Sequence, residues 1–202
     1  MFRLMEIRSV SFDTSFLLHN KYSIDRVIKL LARDSIPCFI TSTVVSELEQ
    51  LKVWGRISKL DFNRALKRWK QSHATVIDFK NRLFSDAFSK TCIKSMEEHH
   101  GVKPTNIAND CNILVSTLKN GVDLFLSEDS HFTSEITKKV ISEIKHAACR
   151  EYHQMCNSKL YSIDAFTFLK AYDNGKLDLK KVQLQVKPIK KSGKMLYNRK
   201  DY

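Results

Sequence analysis

Four acidic residues stand where the surrounding pattern favours little charge, and together they could bind a divalent metal ion. They are Asp13 in VSFDTSFLL, Glu47 in ITSTVVSELEQL, Asp110 in NIANDCNIL and Asp129 in LFLSEDSHF. Converging carboxylates repel one another, and a hard cation such as Mg²⁺ or Mn²⁺ relieves that repulsion. Such an ion lowers the pKa of a bound water and offsets the charge of a phosphodiester. The chemistry expected of these acids is therefore metal-dependent phosphodiester hydrolysis.

Each acid taken alone also has an ordinary structural explanation. An Asp after a strand often forms a turn or caps a helix, and a single helical Glu is usually solvated. The order of all four acids along the chain, each near the end of a strand or the start of a helix, is what favours a shared site.

Alternating strands and helices would bring the four acids together. Short apolar runs predict strands at Ile7–Phe12, Pro37–Thr41, Thr75–Ile77, Val122–Ser127 and Lys159–Ser162. Apolar residues at helical spacing predict helices around Ile24–Leu31, from a cap at Thr43, over Phe84–His99, along Ile107–Leu118 and over Glu135–Cys156. This alternation predicts an α/β class, a three-layer α/β/α, Rossmann-like fold with a central parallel sheet of four to five strands. Ligands bind such sheets at the carboxyl edge, where Asp13 and Asp129 are expected.

The four segments resemble the motifs of the PIN-domain family of metal-dependent ribonucleases, which includes VapC-like toxins. Asp13-Thr14-Ser15 after a strand resembles the first motif, and Thr43-x-x-x-Glu47-Leu48 resembles the second. Asp110-x-x-Ile113 resembles the third, and Ser127-x-Asp129-x-x-Phe132 the fourth. The resemblance covers residues 7–171 and implies a PIN-like fold.

By this resemblance, Asp13, Glu47, Asp110 and Asp129 hold one or two Mg²⁺ or Mn²⁺ ions, and cleavage leaves a 5′-phosphate and a 3′-hydroxyl. The resemblance gives Thr14, Ser15 and Ser127 supporting hydrogen bonds to carboxylates or phosphate. His131 stands where many relatives carry a further acid, so one carboxylate fewer is present to hold a second metal ion. Glu128 is expected to point to the opposite face.

The charge balance favours a polyanionic partner. The chain of 202 residues has 34 Lys and Arg against 22 Asp and Glu, a formal net charge of +12. A basic segment and the C-terminal tail supply candidate RNA-binding residues, which are Arg56, Lys59, Arg64, Lys67, Arg68, Lys190 and Lys191. The alternative for the basic segment is an amphipathic helix whose charged side is simply solvated or whose apolar side meets another protein.

The chain is expected to divide into a PIN-like nuclease domain at 1–175 and a basic, mobile C-terminal extension at 176–202. The extension carries nine Lys and Arg against two Asp. Neither a signal-peptide core nor a membrane-spanning run is evident, so a cytoplasmic location without membrane association is expected. Cys38, Cys92 and Cys111 are predicted to be small buried thiols in a reducing compartment.

One further cluster has the residue types of a zinc site. His146, Cys149, His153 and Cys156 would span about 15 Å along one continuous helix, too far to share a tetrahedral ion. A packed helix face is therefore the preferred interpretation, and only a break in the helix would favour zinc.

The sequence thus predicts a metal-dependent endoribonuclease that acts on RNA, either a VapC-like toxin or an RNA-processing enzyme. The alternative is a PIN-fold RNA- or protein-binding module with a weakened or inactive site. An antitoxin, another protein or a second copy of the chain are the protein partners that remain open.

Overall fold

A five-stranded parallel sheet organises the computed structural model, which describes residues 4–182 apart from the side chain of Gln154. The sheet has the order β4-β3-β2-β5-β6. Its strands are β2 (Val10–Phe12), β3 (Cys38–Thr41), β4 (Thr75–Ile77), β5 (Leu124–Leu126) and β6 (Tyr161–Ile163). A second, antiparallel sheet consists of β1 (Leu4–Glu6), β7 (Tyr172–Asp173) and β8 (Lys176–Asp178) in the order β1-β8-β7. The predicted α/β class and five parallel strands are confirmed.

Helices cover the central sheet in two groups, which gives the predicted three layers. The helices are α1 (Thr14–Leu18), α2 (Tyr22–Arg33), α3 (Ser42–Val53), α4 (Lys59–Ser72), α5 (Arg82–His100), α6 (Pro104–Lys119), α7 (Ser130–Thr133), α8 (Glu135–Ala148), α9 (His153–Cys156) and α10 (Ala165–Ala171). Helix α4 packs on α1 and α2, helix α2 also packs on α10, and α5 packs on α6 and α8. Right-handed crossovers place the two groups on opposite faces, because the strand order reverses direction between β2 and β5.

The central strands are buried on both faces, as a parallel sheet between two helical layers requires. Val10 and Phe12 of β2 and all three residues of β5 are fully shielded from solvent. Hydrogen bonding aligns Phe12 with Leu126, so the two strands end side by side. Residues that follow these strands therefore begin at neighbouring points on the carboxyl edge.

The C-terminal extension does not begin at Lys176 as predicted. Residues 176–178 form β8, which pairs with β1, and Leu177 is completely buried. Burial of an apolar side chain and strand pairing hold this segment in the fold. Residues 183–202, including Lys190 and Lys191, lie outside the described part of the chain.

Three local predictions were wrong in detail. The first central strand begins at Val10 rather than Ile7. Helix α3 is capped by Thr41, whose hydroxyl accepts a hydrogen bond from the amide of Val44, so Thr43 lies inside the helix. The predicted helix over Glu135–Cys156 is interrupted between α8 and α9.

The cysteines pair in a way that the sequence pattern did not indicate. Cys92 and Cys111 form a disulfide between α5 and α6, so their interpretation as free thiols was wrong. The two helices pack face to face and bring the Cα atoms to 5.6 Å. Cys149 and Cys156 form a second disulfide, which engages the two thiols that a zinc site would need, and Cys38 is free and buried.

Among residues 4–182, no helix combines the length and the apolar character that crossing a bilayer requires.

Candidate metal centre

Asp13 and Asp129 lie at the carboxyl edge of the central sheet, on the neighbouring strands β2 and β5. The amide of Asp13 donates a hydrogen bond of 3.0 Å to the carbonyl of Leu126, which locks the two strand ends together. Asp13 caps the N-terminus of α1 and Asp129 caps that of α7, so each acid also has the ordinary role of a helix cap. The capping geometry turns both carboxylates to the edge where the strand order reverses.

Hydroxyl groups hold the Asp13 carboxylate in place. Its Oδ2 accepts hydrogen bonds from Ser15 Oγ at 2.5 Å and from Ser127 Oγ at 2.9 Å. Ser127 Oγ also accepts a hydrogen bond of 3.0 Å from the amide of Asp129. The supporting positions predicted for Ser15 and Ser127 therefore lie in direct contact with the first acid.

Glu47 and Asp110 reach the same edge from two helices that pack together, α3 and α6. Thr14 Oγ1 donates a hydrogen bond of 2.5 Å to Glu47 Oε2, which ties α1 to α3. The side chain of Asn109 donates a second hydrogen bond to Glu47. All four predicted acids thus line one cavity of about 280 Å³.

The electrostatics of the cavity are those of crowded carboxylates. Burial raises the pKa of Asp13 to about 7, and the charge of Glu47 acts in the same direction. The pKa of Asp110 lies well above its usual value because of burial and then the charges of Asp13, Asp129 and Glu47. Burial also raises the pKa of Glu47. These groups resist ionisation together unless a cation compensates them.

Asp129 differs from the other three acids because His131 stands beside it. Its Oδ1 accepts a hydrogen bond of 2.8 Å from the amide of His131, and the ring Nδ1 lies 3.0 Å away. Burial acts to raise the pKa of Asp129, but these contacts outweigh burial and bring it below its usual value. Asp129 is therefore the acid that is ionised most readily.

The donor set fits a divalent cation. Asp110, Asp129 and His131 each offer one ligand atom, and these atoms lie within 4.8 Å of one another. Asp110 Oδ2 is shielded from solvent and has no hydrogen-bond partner among residues 4–182. A buried carboxylate oxygen without a partner is costly, and a bound cation would compensate it.

Glu128 points away from this cavity, as predicted. Its side chain is almost fully buried and binds Lys21 Nζ at 2.6 Å and the amide of Ala165 at 3.0 Å. Glu128 therefore serves as an anchor for α10 and does not replace an acid at the metal centre.

The mouth of the cavity holds a residue that the sequence analysis did not single out. Trp54, which is 59% exposed, lines the cavity together with Arg56. The Arg56 guanidinium lies 4.9 Å from the Trp54 ring. A tryptophan shortly after the Glu47 motif was the available sequence signal for this position.

Two of the predicted RNA-binding residues are structural instead. Arg68 is 1% exposed, and its guanidinium binds Asp25 and the carbonyls of Leu17, His19 and Lys21. Arg64 pairs with Asp61 and with the carbonyl of Leu18. The bonds of Arg68, and that of Arg64 to Leu18, join α4 to α1 and α2.

The remaining basic residues divide by position. Arg56, Lys59 and Lys67 are exposed, and of these Arg56 lines the cavity. Lys59 and Lys67 lie on α4, so the exposed side of that helix keeps part of the predicted basic surface. RNA contact by these residues stays a prediction.

The PIN-domain resemblance of the four motifs stays a prediction. Compared with protein-family models, with curated proteins and with solved structures, the chain matches none of them.

Proposed function

We propose that this protein is a metal-dependent endoribonuclease. The observation that supports the proposal best is the convergence of Asp13, Glu47, Asp110 and Asp129 on one cavity at the carboxyl edge of a parallel sheet. Burial first, and then the charges of neighbouring carboxylates, raise the pKa of three of these acids, and perturbed pKa values of this kind are common at functional sites.

The four carboxylates would hold one or two Mg²⁺ or Mn²⁺ ions. A bound ion of this kind lowers the pKa of a bound water and offsets the charge of the phosphodiester. Ser15 and Ser127 orient the Asp13 carboxylate, and Thr14 orients Glu47. These contacts fix the oxygen atoms before a ligand arrives, which reduces the ordering that binding would otherwise require.

A nucleic-acid substrate fits the mouth of the cavity. Arg56 offers a positive charge for a phosphate, and Trp54 offers an exposed ring on which an unpaired base can stack. The formal net charge of +12 would draw a polyanion to this surface. RNA rather than DNA follows from the family resemblance, and a toxin role stays one branch of the proposal.

The alternative function is an RNA- or protein-binding module with a weakened site. The family resemblance favours it at one position, since His131 stands where many proteins of that family carry a further acid, which would help to hold a second Mg²⁺. Such a module would bind RNA without cleaving it.

Cleavage of total cellular RNA tests the proposal. The purified full chain is incubated with RNA and Mn²⁺, and new 5′ ends are mapped, with a chelator and Asp110→Asn as controls. Discrete ends that carry a 5′-phosphate, depend on metal and are lost in the variant are expected. Metal-independent ends, or ends that persist in Asp110→Asn, would contradict the nuclease assignment. RNA binding without cleavage would favour the module.

A further inference from the structure

A buried histidine beside the metal centre has no apparent hydrogen-bonding role. His100, the last residue of α5, is 8% exposed, and neither of its ring nitrogens has a hydrogen-bond partner within residues 4–182. Buried polar groups without partners are rare and costly, and a ligand bound to the imidazole nitrogens would offset that cost.

The ring of His100 lies against that of His131. The two ring centroids are 5.7 Å apart, and the planes are nearly perpendicular at 83°. Two imidazoles bound to one ion through bonds of about 2.1 Å have ring centres roughly 5–6 Å apart. The centroid separation lies in that range, while the ligand atoms already within 4.8 Å of one another are those of Asp110, Asp129 and His131, so His100 would join these three.

His131 also has a buried ring nitrogen without a hydrogen-bond partner among the described residues, and this nitrogen lies near Asp129. Its Nδ1 is buried and makes no well-aligned hydrogen bond in the described chain, although it lies only 3.0 Å from Asp129 Oδ1. Adjacent ligand atoms on one ion, at bonds of about 2.1 Å, are about 3 Å apart. The nitrogen and the oxygen are thus spaced as two neighbouring ligands would be.

We propose that His100 and His131, together with Asp129 and Asp110, form a mixed imidazole–carboxylate site that takes a transition-metal dication such as Co²⁺ or Zn²⁺ in preference to Mg²⁺. Imidazole nitrogen favours these ions, whereas Mg²⁺ favours oxygen. The site deepens the proposed nuclease function, since it would fill a second metal position, but ion binding there does not require cleavage.

The test measures ion binding by the full chain without RNA. Calorimetry gives the affinities for Co²⁺ and Mg²⁺, and the visible absorption of bound Co²⁺ reports its ligands. Wild type is expected to bind one Co²⁺ at least tenfold more tightly than Mg²⁺. His100→Gln and His131→Gln should each weaken Co²⁺ at least tenfold and change its spectrum, because each removes one nitrogen ligand. His146→Gln, at an exposed position on α8, is the matched control and should change neither.

Two results would overturn the site. One is equal affinity of wild type for Co²⁺ and Mg²⁺, and the other is an unchanged Co²⁺ affinity and spectrum in His100→Gln. Circular dichroism checks that each variant folds, and His100→Asn replaces a variant that does not. Histidine-dependent Co²⁺ binding without RNA cleavage would contradict the nuclease and leave this site standing. Cleavage with Mg²⁺ together with histidine-independent Co²⁺ binding would support the nuclease and contradict this site.

Discussion

Ser127 donates a hydrogen bond of 2.9 Å from its Oγ to Oδ2 of Asp13, across the ends of the adjacent strands β5 and β2. The same hydroxyl accepts the amide hydrogen of Asp129. One buried side chain thereby sets the distance between the first and the fourth acid of the candidate centre. Parallel pairing of Phe12 with Leu126 is what makes this contact available.

Asp13→Asn should abolish RNA cleavage and leave the fold intact. Asn keeps the oxygen that caps α1 but removes a negative charge that the cation needs. The apo variant should unfold at a higher temperature than apo wild type, because one of the repelling carboxylates is gone. Mapping of 5′ ends and thermal unfolding by circular dichroism measure the two effects. Full cleavage by a folded Asp13→Asn protein would remove Asp13 from the site.

Without divalent ions, the folded protein should lose stability as the pH rises from about 5 to 8. The pKa of Asp13 is raised to about 7, and the pKa values of Glu47 and Asp110 are raised as well. The folded state therefore retains protons that the unfolded chain has released. The free energy of unfolding then falls with rising pH, by roughly 1–4 kcal/mol.

Two histidines also titrate in this range. The raised pKa of His131 adds to the fall, whereas the lowered pKa of His100 opposes it below about pH 6.5. Urea unfolding at several pH values in a chelator measures the slope, and saturating Mn²⁺ should flatten it. A stability that rises steadily across pH 5–8 in the chelator would show that the carboxylates are not crowded as described.

Arg68 should stabilise the fold, whereas its neighbour Lys67 should contribute to RNA binding and not to stability. Arg68→Met should lower the free energy of unfolding by about 2–4 kcal/mol, because it strands Asp25 and several buried carbonyls. Lys67→Ala, on the exposed side of α4, should leave stability unchanged. It should reduce the slope of log affinity against log salt concentration for RNA binding by up to about 1, because one phosphate contact is lost. Urea unfolding and salt-dependent binding of the two variants distinguish the roles.

Trp54→Ala should weaken binding of single-stranded RNA about fivefold or more, because an exposed ring at the cavity mouth can stack on a base. Trp54→Phe should keep most of the affinity. Leu60→Ala removes an exposed apolar side chain elsewhere and should have no effect. Binding is measured in a chelator so that the RNA stays intact.

Fluorescence provides an independent measurement at the same residue. The chain has two tryptophans, so Trp69→Phe leaves Trp54 as the only one. Its emission should be quenched when the single-stranded oligonucleotide binds, and double-stranded RNA should quench it less. Equal quenching by both forms would argue against base stacking.

Removal of residues 183–202 should weaken RNA binding and lower its salt dependence while the fold is retained. The deleted segment includes Lys190 and Lys191 and carries most of the basic extension. The deletion must begin after Val182, because Leu177 is buried and β8 pairs with β1. A truncated chain with an unchanged salt slope would exclude the extension from the RNA surface.

The order of apolar runs and acids along the chain was enough to predict the class of the fold. Each central strand is a short apolar run, and each long helix has apolar residues at helical spacing, so local pattern and tertiary burial agree. The same pattern placed Asp13 and Asp129 after strands, and parallel strands share one carboxyl edge. The convergence of these two acids was therefore predictable without coordinates.

Contacts between distant segments were decided only by the tertiary structure. Arg56 and Arg68 have the same residue type in one basic segment, yet packing of α4 buries Arg68 and leaves Arg56 at the cavity. The contact of His100 with His131 and the Cys92–Cys111 disulfide join residues on different elements. Sequence periodicity reports which face of an element is buried, but not which side chain of another element lies against it, because that depends on how the helices cross.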